Sequence, residues 1–372
     1  MCAAVTVMKQ PGMFKHQALD LNKRQIRLIK IIPVSSNQQG ASSEAIHCSI
    51  QTFDMDTELT YTALSYVWGP PEPCDGILLN GVEFIVRSNL YGFLLQARSL
   101  GLKEYFWIDQ LSIDQADLGE RNHQVAMMAN IYRGATRTIC WLGSDLPADL
   151  GARIFTSKDK SITAPEKARA WKFVFESTYW TRLWVVQEIC LSRKVEFLIR
   201  EVMLSWRNIR IWSTSLDVEP TDFGLRILSL YGMQSHQWNK PLEGLAAIPS
   251  ELWPSFYCSF LRLCSVLKCA DPKDYVYGLG SLLEGGKDFR PDYSLTVEDV
   301  FEGLVQSDLC KVNDWDELID YMQLCWTFLK AMGLRDREDI ILKLNVRSEG
   351  GPGSQFWSRH RDTAALLADS RL

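Results

Sequence analysis

The sequence predicts an α/β fold: a largely parallel sheet flanked by helices over residues 1 to about 205, then a mainly helical region over 206–372. Three observations carry the prediction. Short β-branched and aromatic runs recur through the first half of the chain and are bounded by turn residues. From Asn89 onward these runs alternate with segments of helical periodicity, and a helix between two strands implies a parallel pair. At 372 residues the chain also exceeds what one small core usually holds, so two domains are expected, with helical spacing taking over from Trp206.

Each element follows in order. "QIRLIKIIP" (25–33) and "AIHCSIQTF" (45–53) flank the polar linker "SSNQQGASS" and read as an opening pair of strands. "TALSYVW" is a strand stopped by "GPPEPCDG", and "ILLNGVEFIV" is a hairpin about Asn80-Gly81, the residue pair that tolerates two consecutive left-handed conformations. "NLYGFLLQARSLG" is a helix closed by Gly101, and "EYFWID" (104–109) is a buried strand. A helix follows through "GERNHQVAMMANIYRGA", with Val125, Met128, Ile131, Tyr132 and Ala135 at helical spacing, then the strand "TRTICWLG". A helical stretch near "PEKARAWKFVFES", the helix "WTRLWVVQEIC" (180–190) and the strand "KVEFLI" complete the first region.

Composition narrows the function. Forty basic against forty-five acidic residues give a net charge of −5 without long runs, which argues against nucleic acid or anionic lipid as partner. Ten cysteines are scattered with no C-x-x-C pair, as expected of reduced core thiols in a cytoplasmic protein, and no zinc site is expected. No leader of secretory pattern and no run of 18 apolar residues occurs, so no membrane span is expected. G-x-G-x-x-G, G-x-x-x-x-G-K-[ST] and G-x-S-x-G are absent, which argues against dehydrogenases, P-loop kinases and serine hydrolases, and leaves Ser65 without an evident role.

The helix at 180–190 is apolar almost all the way round except at Gln187 and Glu188. At about 100° per residue Glu188 lies about 40° round the helix from Trp184, so its carboxylate borders an aromatic wall. Such a group either stabilises positive charge in a ligand or pairs with Arg182 or Arg193 to fix packing; the two readings carry equal weight. A second acidic group is Asp109, at the carboxyl end of a buried strand, where ligands bind in open α/β sheets. Asp114, Asp117 and Glu120 follow, but Asp117 and Glu120 are spaced as a helix N-cap and its N3 partner, so a capping box is the simpler account. Asp114 is expected to cap a turn, and no metal is expected, since the spacing fits no recognisable site. His123, alone on its helix, reads as a surface or packing residue. Tyr66 and Trp68 fall near the end of an inner strand, as pocket lining or as core.

"YTALSYVWG" (61–69), "WIDQLSIDQADLGERNHQVAMMANIYRGATRTICWLG" (107–143) and "RLWVVQE" (182–188) together resemble the heterokaryon-incompatibility (HET) domain family of filamentous fungi. The likeness runs over roughly residues 25–205, and "DPKDYVYGLGSLL" with "PDYSLTVEDVF" resembles the stretch that often follows the domain. The chain departs from the family at Ser112 and Asp114, where Cys-Ile-Asn-Gln is usual, and lacks the glycine often seen after the "QE" helix. HET domains are in turn similar to TIR domains, many of which cleave NAD with a glutamate four residues after a tryptophan, the spacing of Trp184 and Glu188. The resemblance implies a TIR-like (flavodoxin-like) sheet, Glu188 as catalytic carboxylate, and Tyr66, Trp68, Gly69, Asp109, Gln115, Arg182 and Trp184 as substrate contacts. It further implies no cofactor, with NAD as substrate, and either self-association or a protein partner. Three functions are compatible with these features: a non-self-recognition and cell-death effector that cleaves NAD, a non-catalytic self-associating signalling module, and a small-molecule biosynthetic enzyme that reuses the pocket.

Overall fold

A computed structural model describes residues 14–33, 45–145, 152–155, 162–209, 267–280, 290–306 and 327–334. The chain divides into two compact units, Met1–Leu245 and Ala246–Leu372. Most of the helical region expected from Trp206 onward, and the final residues beyond 334, lie outside the described residues.

The first unit is built on one nine-stranded sheet: β1 (Gln25–Ile31), β2 (His47–Asp54), β3 (Thr62–Tyr66), β4 (Cys74–Leu79), β5 (Val82–Arg87), β6 (Phe106–Trp107), β7 (Arg137–Trp141), β8 (Val195–Ile199) and β9 (Val202–Ser205). Their order across the sheet is β5-β4-β2-β1-β6-β3-β7-β8-β9. The centre is parallel as the alternation of helix and strand predicted: β3 pairs with β6 and β7, and β7 with β8, all in parallel. The sheet as a whole is mixed, which corrects the expectation of a largely parallel, TIR-like (flavodoxin-like) sheet. The β1–β2, β1–β6, β4–β5 and β8–β9 pairs are antiparallel.

The reason is local. Asn80 (φ 50°) and Gly81 (φ 79°) both adopt the left-handed conformation of a two-residue hairpin turn, which can only join antiparallel strands. Asn80 also bonds the backbone of Ile50 in both directions, at 3.0 and 3.1 Å, fastening the hairpin to β2. Arg200, at φ 49°, turns β8 back into β9, a strand not anticipated.

Helices cover both faces. On one, α1 (Ser88–Ser99) buries Leu90, Phe93, Leu94 and Ala97 over a core that includes Leu64, Tyr66, Phe106 and Trp141. On the other lie α3 (Leu118–Gly134) and α5 (Trp184–Cys190). Trp107 and Trp141 are 0% and 1% exposed, as their apolar strands predict. In α3 the buried stripe runs through Gln124, Met127, Met128 and Ile131, and Val125 is only half-buried. The strand expected over 104–109 shortens to β6, because the chain turns at Asp109 into a one-turn helix α2 (Asp109–Ser112). There the Ser112 hydroxyl accepts from the backbone N–H of Ile108 at 3.1 Å. α4 (Ala164–Phe175) opens with a capping box between Thr163 and Glu166.

The proposed box at Asp117 and Glu120 is half correct. Asp117 caps α3 by accepting from the Glu120 N–H at 2.9 Å, and Asp114 accepts from the Ala116 N–H at 3.1 Å to cap its turn. The Glu120 carboxylate, however, is buried in a forked pair with Arg27 of β1 at 2.5 and 2.7 Å, and accepts from the Asp114 N–H at 2.7 Å. It joins α3 to the sheet instead of closing its own helix end.

In the second unit, α6 (Asp274–Gly280) and α7 (Val297–Gln306) hold the "DPKDYVYGLG" and "PDYSLTVEDVF" motifs together. Tyr293 donates to Asp274 at 2.6 Å, Tyr277 donates to the Asp292 carbonyl at 2.9 Å, and Lys273 donates to the Tyr293 carbonyl at 3.0 Å. Thr296 caps α7 by accepting from the Asp299 N–H at 3.1 Å.

The Arg27–Glu120 pair separates the two accounts of Glu120. Glu120→Gln keeps capping-box chemistry but leaves the Arg27 guanidinium buried without a counter-charge, so denaturation should show a loss of about 3–5 kcal/mol. Asp117→Ala, which removes a cap alone, should cost about 1 kcal/mol. Equal, small losses would return Glu120 to a capping role.

Candidate functional site

The parallel strands β6, β3, β7 and β8 bring their carboxyl ends to one edge of the sheet, where helices and loops must start and where open α/β sheets hold their ligands. β6 ends in α2, whose first residue is Asp109; β3 ends in Tyr66 and the loop through Trp68 and Gly69. The register that sets Ser65 opposite Cys140 and Tyr66 opposite Trp141 fixes how far each strand reaches. Along β3 side chains alternate, so Tyr66 joins the core under α1 while Ser65 points to the face that carries α5.

Glu188 lies on α5 above Ser65 and is 2% exposed. Its Oε2 accepts a hydrogen bond from the Ser65 hydroxyl, which in turn is 2.7 Å from the Tyr179 hydroxyl. Arg182, just before α5, meets both carboxylate oxygens at 3.5 and 3.4 Å, long for an ion pair, and is itself 19% exposed. Beside this pair, Asp109 accepts from the Trp68 indole at 2.6 Å and from the Gln110 N–H at 2.7 Å. The Tyr66 hydroxyl donates to Gln110 at 3.3 Å.

One guanidinium thus serves two carboxylates. Burial pushes the pKa of Glu188 above its ordinary value, and Arg182 and Ser65 only partly offset this. Burial raises Asp109 in the same way against Arg182 and Trp68. Arg182 is held as a cation: burial opposes its charge, but Glu188 and Asp109 raise its pKa. Tyr66, Tyr132 and Tyr179 are all pushed well up, first by burial and then by charged neighbours that include Glu188.

The structure gathers most of the residues picked from the sequence. Glu188, Arg182, Asp109, Tyr66 and Trp68 form one group; Glu188 sits on a helix as expected, but it is covered, not facing open solvent. Gly69, at φ 75°, needs the left-handed conformation for the turn, and its carbonyl accepts from Arg87 at 2.6 Å. Gln115 is exposed, its amide donating to the Asp109 carbonyl at 3.2 Å. Trp184 is half-buried in the first turn of α5. Of the two arginines offered as partners for Glu188, Arg182 is the one that pairs with it.

Sequence reasoning passed over Ser65, Tyr179, Cys140 and Arg87. Ser65 had a signal: it is a small hydroxyl inside the strand run "TALSY", and a polar group buried there needs a partner. Arg87 lies over the Trp68 ring at 5.1 Å, so one face of that indole is already covered. The buried thiols are chemically quiet: burial raises Cys48 and Cys190 to about 12, and Cys140 higher still. Among the described residues no three His, Cys, Asp or Glu side chains come together as a metal site, and no helix is long and apolar enough to cross a membrane.

Residues 61–188 match the family model described as heterokaryon incompatibility protein (HET), a segment that begins at Tyr61 and ends on Glu188 itself. Heterokaryon incompatibility protein 6, OR allele, of Neurospora crassa is 25% identical over 352 residues, covering 74% of this chain and 50% of that protein. Vegetative incompatibility protein HET-E-1 of Podospora anserina is 26% identical over 149 residues, 38% of this chain and 10% of that protein. The chain therefore spans half or less of the length of these relatives. No solved structure matches it significantly.

The electrostatics of Glu188 give a test of its own. Glu188→Gln removes a carboxylate whose charge burial disfavours and leaves Arg182 facing Asp109, so the loss at neutral pH should be smaller than that of Glu120→Gln. Because the folded-state pKa is raised, the folded protein holds the proton more tightly than the unfolded chain. Wild-type stability relative to Glu188→Gln should therefore fall as pH rises above 4.5 and through the folded pKa. A wild type that gains on the variant over that range would show Glu188 to be a stabilising ion-pair partner.

Proposed function

We propose that this chain acts as an effector of fungal non-self recognition and cell death, the role that the names of its relatives suggest, and that its HET domain does so by hydrolysing NAD at the nicotinamide-ribose bond. The observation that carries this reading is the buried Glu188 carboxylate, held by Ser65 and Arg182 next to Asp109 at the carboxyl edge of the parallel strands.

The chemistry suits these groups. In NAD the nicotinamide ring is already cationic. As the bond from its nitrogen to the ribose breaks, both electrons leave with nicotinamide, and positive charge passes to the ribose carbon and ring oxygen. A preorganised carboxylate in a dry site stabilises that cation, as in glycoside cleavage. Water then adds to the carbon and loses a proton, giving ADP-ribose. Two carboxylates against one guanidinium leave surplus negative charge, which a cationic ring would relieve. Glu188 is covered, so substrate has to displace Arg182, whose contacts of 3.4 and 3.5 Å make it the loosest side of the cluster. Asp109 and Trp68 are half-buried beside it, and in this reading they contact the ribose hydroxyls and the ring. The same burial favours a second reading, in which Glu188 and Arg182 only fix the packing of α5 and the domain works through self-association.

Purified protein incubated with NAD should release nicotinamide and ADP-ribose, measured by chromatography. Glu188→Gln should abolish release, and Asp109→Asn should raise KM more than it lowers kcat. The acid limb of the rate profile should lie above pH 4.5, since the active form of Glu188 is ionised and its pKa is raised. A folded, self-associating protein that never releases nicotinamide would favour a signalling module, and an inert monomer would favour a biosynthetic enzyme.

A further inference from the structure

We infer that Ser65, fed by the Tyr179 hydroxyl, is the positioning residue of Glu188: a one-way chain of buried hydroxyls that holds the carboxylate ionised and in one orientation. This rests on the reading of Glu188 as the working carboxylate, but its physical content can be measured without turnover.

The direction of the chain follows from donor and acceptor counts. An ionised carboxylate can only accept, so the Ser65 proton must lie toward Glu188 Oε2. The Ser65 oxygen is then free to accept, and the Tyr179 hydroxyl at 2.7 Å must be its donor. Ser65 is 0% exposed and Tyr179 0% exposed, so neither can exchange these bonds for water. Among the described residues, Ser65 and Arg182 are the groups that bond the Glu188 carboxylate. Arg182 is partly exposed and long in its contacts, whereas Ser65 is fixed by strand register with β7.

The division of labour is therefore distinct. Arg182 supplies charge through long contacts; Ser65 supplies a directed bond from a strand fixed in register. When substrate displaces Arg182, the Ser65 bond is what remains to hold the ionised form. The other groups around the carboxylate do not replace it: Asp109 on α2 opposes its ionisation, and Tyr66 on β3, Tyr132 on α3 and Cys140 on β7 are themselves held neutral by burial. Cys140 lies close to both Tyr179 and Ser65.

The test measures the Glu188 titration by carbon-13 NMR of the full chain labelled in glutamate carboxyl groups, with Glu188→Gln identifying the resonance, alongside the pH profile of nicotinamide release. Ser65→Ala should raise the Glu188 pKa and the acid limb together by about one pH unit, the size of one lost charge-assisted hydrogen bond. Release above the limb should fall roughly tenfold or more as the carboxylate loses its orientation. Ser65→Thr, which keeps the hydroxyl, should restore both, and Tyr179→Phe should shift both in the same direction by less. If Ser65→Ala does not fold, Tyr179→Phe carries the test. An unchanged Glu188 titration in the folded variants overturns the inference, as does a loss of release with no shift in the limb. If wild type releases no nicotinamide, the proposed reaction fails while the NMR titration still decides the role of Ser65.

Discussion

A carboxylate buried on a helix of two turns has to be met from outside that helix, and the first unit is arranged around this constraint. α5 offers Glu188 no cation of its own, so the partners come from elsewhere: Ser65 from the innermost stretch of the sheet, Arg182 from the chain just before the helix, and Tyr179 from the 3-10 turn Thr178–Thr181. For Ser65 to reach it, β3 must run to its end in register between β6 and β7. That in turn places Tyr66 and Trp68 where Asp109 and Arg87 hold them. The position of one charge thus ties together the parallel centre of the sheet, its carboxyl edge and the helix above it.

The parallel centre and the mixed margins do different work. β6, β3, β7 and β8 aim their ends at the site, while the β4–β5 hairpin and β1–β2 pair widen the platform and give α1 a core to cover. At the opposite end of the parallel strands, Arg137 at the start of β7 is bonded to both Glu104 and Glu196, so that edge is closed by its own charges. Each end sets one arginine against two carboxylates, and the opposite end adds Lys194, which pairs with Glu196 at 2.7 Å; the results are opposite. Where the groups are partly exposed and closely paired, Glu196 is lowered by Lys194 and Arg137 in spite of its burial. Where they are covered and the contacts are long, both carboxylates are raised.

Much of this was legible in the sequence, for identifiable reasons. Asn80-Gly81, Gly101 and the β-branched runs act through backbone conformation and burial, which are local, and each element they predicted is present. Strand direction at the margins was legible at the Asn80-Gly81 hairpin and not beyond it, since helix alternation implied parallel pairs only where helices intervene. Arg200 turning β8 into β9 carries no glycine or asparagine to announce it. At the site, Glu188, Asp109, Tyr66 and Trp68 were visible because charges and aromatics in apolar runs are conspicuous. Tyr179 was not, because a tyrosine among tryptophans looks like core, and its role depends on a serine more than a hundred residues away.

The departures from the family pattern at Ser112 and Asp114 can be judged by what the side chains do here. Ser112 is buried, closes α2 through the Ile108 N–H, and its carbonyl accepts from Arg27 at 3.0 Å. Asp114 caps its own turn, and its N–H is taken by Glu120. Both residues therefore serve the join between α2, α3 and β1, not the group around Glu188. A thiol or an amide at those positions would alter that join without entering the carboxylate cluster. What the join touches is the start of α2, whose first residue is Asp109: Ser112 accepts from the Ile108 N–H, and Arg27 bonds the Ser112 carbonyl. The substitutions are thus compatible with an intact site, provided that the anchor beneath it holds.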